Sequence, residues 1–200
     1  MNVIEAMETC TAMRYFKPTP VSREDLETLI YAATRASNPG NSQGWEFLVI
    51  DDPAIKEPVG AQVIDGMAPF FAARAPGADA VEERMLTGAE HLAKNFAAVP
   101  AWIVCMARMV YPPQAPQESF MHSTIYPAAQ NLIVAARELG LGTCFTTFPG
   151  HAEAQIRALC QVPEDLHMFV YVAVGYPDRA FMPVRRKPVS EVLTWNRYTA

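Results

Sequence analysis

The chain has 200 residues, half of them apolar and 18% charged, with a formal net charge of −5. That length holds one domain with a full core, and the negative balance disfavours nucleic acid as a partner. No apolar run reaches the roughly 20 residues of a membrane span.

In chain order, residues 3–10 read as a short helix, ended by the two prolines of the stretch TAMRYFKPTPVS. Ser22 is an N-cap, with Asp25 as capping-box partner, for a helix whose buried face carries Leu26, Leu29, Ile30 and Ala33. The run SNPGNSQGW follows at 37–45, then a strand over about 45–51 that Asp51-Asp52-Pro53 stops. Residues 54–63 are expected to be helical, 66–79 a looser Gly- and Pro-bearing stretch, and 80–97 a second helix. The continuous apolar run Ala101–Met106 fits a strand covered on both faces. The segment YPPQAPQES, with three prolines in nine residues, is a loop and a candidate rim. From Ile125 to Leu139 helical spacing holds over four turns, with Pro127 near the start and Gly140 as the C′ residue. A short helix is expected over 152–160 and a central strand over 168–174, closed by Gly175-Tyr176-Pro177. The tail carries Arg185-Arg186-Lys187-Pro188.

Familiar catalytic motifs are missing. There is no G-x-G-x-x-G and no G-K-[ST], and no nucleophile elbow is expected. Four cysteines, at 10, 105, 144 and 160, form no C-x-x-C pair and have no His at metal-ligand spacing. Cys105 and Cys144 read as buried small hydrophobes, no metal site is expected, and the default compartment is reducing, hence cytoplasmic. The first ten residues show no export-signal core. His91, His122, His151 and His167 are scattered and read as surface or satisfied side chains, with His122 the one that follows the proline-rich loop. Glu82 and Glu83 read as a solvated helix face.

Two features invite a ligand. Five of the nine residues at 37–45 are Ser, Asn or Gln, more than a plain turn needs. They serve either as a turn that caps its own backbone or as carboxamides that read the donor–acceptor edge of a planar ring. Arg14 near one end of the chain and Arg185-Arg186 near the other are either a basic scatter in an acidic protein or a phosphate grip.

Four segments, in order, resemble the nitroreductase family of flavin-mononucleotide (FMN) oxidoreductases. Thr11-Ala12-Met13-Arg14-Tyr15-Phe16 resembles that family's Arg-rich opening motif. Ser37–Trp45 resembles its P-S-x-x-N-x-Q-P-W. Ala129-Gln130-Asn131-Leu132 through Gly142-Thr143 resembles its N-L-x-L-A-A…G-L-G helix. Gly175-Tyr176-Pro177 with Arg185-Arg186-Lys187-Pro188 resembles its G-Y-P…R-K-P end. The likeness spans nearly the whole chain.

The resemblance implies a single α+β domain over 1–200. It is a three-layer sandwich with a central, mostly antiparallel sheet flanked by helices, working as an intertwined homodimer, with about 188–200 an extension that packs on the partner. It implies FMN in the subunit interface. Thr11, Ala12, Met13 and Arg14 would approach from one subunit, with Arg185 and Arg186 at the phosphate and Thr146 and Thr147 beside flavin N5. Ser37, Asn38, Asn41 and Gln43 would come from the other subunit. The implied activity is ping-pong: NAD(P)H passes a hydride to the flavin and leaves, and a nitroaromatic, quinone or similar acceptor takes its place. No side chain is then needed as acid, base or nucleophile. Cys10 and Thr11 stand where members usually carry at least one more Arg, and this keeps open a second reading, a non-catalytic flavin carrier or sensor.

Overall fold

A computed structural model describes residues 1–198 of the chain. Helix α1 (Val3–Thr9) starts at Asn2, whose side chain accepts from the N–H of Glu5, and α2 (Arg23–Ala33) starts at Ser22, which accepts from the N–H of Asp25. Strand β1 (Trp45–Ile50) leads into α3 (Pro53–Ala73) and α4 (Ala80–Lys94). Strand β2 (Ala101–Ala107), helix α5 (Glu118–Glu138), strand β3 (Gly142–Thr146), helix α6 (Glu153–Cys160) and strand β4 (His167–Gly175) complete the body.

The four strands form one antiparallel sheet in the order β1-β2-β4-β3. Alternation along β2 divides the core. Ala101, Ile103 and Cys105 face Leu26, Leu29 and Leu132 of α2 and α5, while Trp102, Val104 and Met106 face Val59, Leu92, Phe96 and Ile156 on the other side. Every residue of β2 is buried, as its unbroken apolar run implies. The result is the expected three-layer α+β sandwich. Among the described residues no helix is long and apolar enough to cross a membrane.

Three expectations are corrected. Residues 53–73 form one 21-residue helix rather than a short helix and a loose stretch. Pro58 and Pro69 each cost an interior helix roughly 3 kcal/mol, yet Val59, Val63 and Met67 are buried along it and the whole helix is held by packing. Its glycines are close-approach points: a Cβ on Gly60 would fall 2.7 Å from the Cβ of Ala97, and one on Gly66 2.5 Å from the His151 ring. The long helix α5 begins at Glu118, two turns before the apolar spacing starts, and α4 stops at Lys94, with a 3-10 turn at Phe96–Ala98. Strand β3 had no sequence signal strong enough to mark it.

Beyond β4 the chain turns back over the N-terminal segment. Lys17 donates its N–H to Tyr176, Asp178 to Tyr15, and Val184 to Glu8. The Arg137 guanidinium lies 3.9 Å from the Phe181 ring centroid and its Nε donates to Thr9. Past Pro188, Val189, Val192, Leu193, Trp195 and Tyr198 are exposed, Trp195 to 78%. Residues 199 and 200 of the expected extension lie outside the described residues.

Candidate functional site

The opening segment lies against the outer edge of β3. Ala12 pairs with Thr143 in a parallel bridge, and the Met13 N–H donates to the Thr143 carbonyl at 2.7 Å. Gly142 permits this approach, since a Cβ there would fall 2.6 Å from the Met13 side chain. Four residues on, Phe16 bridges Pro177. Residues 14 and 15 are thus held between two pinned points.

Arg14 is directed toward α4, its Cδ 3.1 Å from where a Cβ on Gly88 would lie. It contributes to a cavity of about 440 Å³ whose wall also includes Tyr15, His91, Asn95, Asp178 and Arg179. That volume lies within the range of small-molecule sites. The carboxylate on this wall, Asp178, already pairs with Arg179 at 3.1 Å. Among the described residues Arg14 reaches only the Ala12 carbonyl, at 3.5 Å. A guanidinium without a carboxylate partner beside a cavity suits an anionic or electron-rich ligand.

The His91 ring stacks on Tyr15, centroids 4.1 Å apart and planes 23° off parallel. Arg179 lies 4.8 Å over the other ring of the pair, Tyr15. Asn95, one turn on from His91, donates to its carbonyl at 2.8 Å and has its Nδ2 3.4 Å from His91 Nδ1. Burial, and then the positive charge of Arg179, push the His91 pKa below its usual value. Behind Arg14, burial pushes the Cys144 thiol up to about 11, and the same physics holds Cys105 at about 12. Neither is a nucleophile.

The other residues singled out from the sequence fall into two groups. Thr11, Ala12, Met13 and Arg14 share the β3 edge. Thr146 ends that strand, buried, its hydroxyl accepting from the Phe148 N–H, and Thr147 is exposed just beyond it. The Val184–Glu8 bond sets exposed Arg185 beside the end of α1, and its charge is felt by Asp79 at the start of α4. Arg186 is exposed and, among the described residues, donates only to the Arg185 carbonyl. This first group therefore gathers around one edge of the sheet.

The run at 37–43 does not join it. It precedes β1, which is the opposite edge strand, three inter-strand spacings or about 14 Å away across β2 and β4. Within the run Gly40, Asn41 and Gln43 all have positive φ, of 58°, 49° and 49°. For Asn and Gln that conformation is strained by roughly 1–2 kcal/mol. Asn38 accepts from the Gln43 N–H at 2.8 Å, so the self-capping role is real at this one residue. Ser37, Asn41 and Gln43 point no side-chain hydrogen bond at the rest of the described chain and are exposed.

Sequence reasoning missed His91, Asn95 and Arg179. His91 looked like one of four scattered histidines; its i,i+4 partner Asn95 carried no signal without knowing which face of α4 meets the opening segment. Glu83 is no plain solvated acid: it binds Arg74 at 3.0 Å and the Gly77 N–H at 2.7 Å, closing the link from α3 to α4. Glu82 accepts from the Ala78 N–H. Among the described residues no group of three or more His, Cys, Asp or Glu could hold a metal ion.

Comparison with known proteins adds a lineage to this geometry. The sequence model of the Nitroreductase family matches residues 9–176. A Bacillus subtilis protein named FMN reductase (NADPH) is 24% identical, with 98% of this chain and 74% of that one covered. The fold superposes on oxidized iodotyrosine deiodinase, solved with FMN and 3-iodo-L-tyrosine, at a TM-score of 0.79 and 21% identity, covering 98% of this chain and all of the other. A nitroreductase with bound FMN from Desulfitobacterium hafniense gives a TM-score of 0.74 at 20% identity, again over 98% of this chain and all of that one.

Proposed function

The chain belongs to the nitroreductase family, and from that premise we propose that it is an FMN-dependent oxidoreductase. It draws electrons from NAD(P)H and reduces a nitroaromatic, quinone or similar small acceptor. When bound, FMN supplies the ring that accepts and passes on the hydride. The protein's own residues bind and orient it. Arg14, set on the cavity wall with no carboxylate partner among the described residues, neutralises negative charge at the ring or its phosphate. Arg185 and Arg186, which follow Val184 where it bonds Glu8 near the end of α1, stand in for the arginine missing at position 11. Thr146 and Thr147 offer backbone groups at the end of β3.

The observation that carries the reading is the separation of the two motif groups. The β3 edge holds Thr11–Arg14, and the β1 edge holds Ser37, Asn41 and Gln43 in a strained, exposed loop fixed by Asn38. Neither half builds a site alone, and a two-fold pair of chains would unite the loop of one with the edge of the other. The exposed Val192, Leu193 and Trp195 supply an apolar arm for the same association. Exposed Tyr126 and Phe145, packed on each other beside Thr146, extend the apolar surface to the ring site.

The test is direct. Purified protein given FMN should retain it through gel filtration, turn yellow, be bleached by NADPH or NADH without oxygen, and recover colour on adding an acceptor from a panel of nitroaromatics, quinones and 3-iodo-L-tyrosine. Protein that gains no flavin absorbance refutes the proposal. Protein that binds FMN but is not bleached by either nicotinamide supports the carrier reading instead.

A further inference from the structure

We propose that His91 exchanges a proton with solvent in step with the redox state of the pocket, taking one up when the bound flavin is reduced and releasing it when the flavin is reoxidised. The inference rests on the FMN reading above and deepens it. His91 shares its cavity with Arg14, the residue assigned there to the flavin's negative charge. Its ring is fixed between the Tyr15 face and α4, and the Asn95 carboxamide beside Nδ1 makes that nitrogen the acceptor. The neutral ring therefore carries its hydrogen on Nε2, and its one basic position is Nδ1, where a proton would take the place of the Asn95 contact.

The charges around the ring come from two segments: Arg14 and Tyr15 lie on the opening segment, and Asp178 and Arg179 follow β4. Glu90 and Lys94, on α4 itself, line a different cavity. Asp178 pairs with Arg179, and Glu90 with Lys94 at 2.6 Å and Arg74 at 3.8 Å, so among the described residues on this wall Arg14 is the charge without a partner, and it is positive. Burial, and then the positive charge of Arg179, resist protonation of His91 while the flavin is oxidised and neutral. A reduced ring brings one negative charge into the same cavity. An opposite charge within about 4–6 Å favours the charged form of an ionisable group, and the imidazolium becomes the favoured state. In balance, NAD(P)H delivers two electrons and one hydrogen as hydride to the ring, water delivers one proton to His91, and no electron passes through the imidazole.

The experiment is a potentiometric titration of the FMN-loaded protein between pH 5.5 and 8.5, for the natural chain and for His91→Gln, which keeps a donor but cannot titrate. The expected result is that the natural protein takes up as much as one proton more per two electrons than the variant over part of that range. Equal proton counts at every pH, with FMN bound to both, overturn the role of His91 and leave the FMN reading intact. A natural chain that takes up no FMN overturns both. If His91→Gln does not fold, nitrogen-15 histidine spectra of the natural protein decide. A ring that titrates at higher pH in reduced than in oxidised protein supports the proposal, and an unmoved titration overturns it.

Discussion

The Met13 N–H donates to the Thr143 carbonyl at 2.7 Å, and this bond seats the opening segment on the free edge of β3. Everything assigned to the flavin's near side depends on that seat, because Arg14 follows directly and no carboxylate among the described residues holds it in place.

Gly142→Ala therefore tests the seat without touching a ligand-facing side chain. Its new Cβ would meet Met13 at 2.6 Å and push the segment outward. Overpacking of this kind costs about 1–3 kcal/mol. The expected outcome is a lower melting temperature together with a weaker FMN dissociation constant, read by fluorescence titration.

Arg14→Met should leave the melting temperature of the flavin-free protein near that of the natural chain, since no ion pair is lost. FMN affinity should fall by roughly ten- to a hundredfold, the effect of removing a charged hydrogen-bond partner worth about 1.5–3 kcal/mol. Isothermal titration reads both the affinity and the stoichiometry.

The loop allows its backbone and its side chains to be separated. Asn41 holds φ at 49°, a conformation glycine adopts freely. Asn41→Gly should keep or slightly raise stability in urea while weakening FMN binding. Asn41→Val should lose roughly 1–2 kcal/mol of stability as well, because a β-branched residue is forced into the same strained region.

Acid sensitivity should localise to the joint between α3 and α4. Arg74, the Gly77 N–H and Thr87 hold the Glu83 carboxyl down at about 2, against an ordinary 4.5. A depressed folded-state pKa contributes stability that is complete above about 4.5 and is lost as pH falls toward 2. Glu83→Gln should be less stable at neutral pH, and its stability should vary less with pH between those values. Urea melts of both proteins at pH 3, 4 and 6 check it.

Much of the architecture was legible where local chemistry and burial agree. Ser22 and the spacing of Leu26, Leu29 and Ala33 define α2, and the unbroken run Ala101–Met106 defines a strand covered on both faces. The failures share one cause. Gly66 and Pro69 read as breakers, but in α3 the glycines are where neighbouring elements come closest, and tertiary packing overrides the poor propensity of both. β3 is only five residues long and takes part of its support from the opening segment, a contact no window of sequence contains. The site divides in the same way. Arg14, Asn41 and Gln43 announced themselves by residue type within a motif. His91 became visible only once α4 was laid against Tyr15.

The central claim is that one site is shared between two chains, and mixed dimers test it most directly. Arg14→Met removes the β3-edge half of a site, and Asn41→Gly with Gln43→Gly removes the loop half. Neither homodimer should hold FMN tightly. Co-expressed and purified through two different tags, the mixed dimer combines an intact edge from one chain with an intact loop from the other. The account predicts one FMN per mixed dimer, bound as tightly as in the natural protein. A mixed dimer with no tight site, or a natural chain that binds FMN as a monomer, would contradict it.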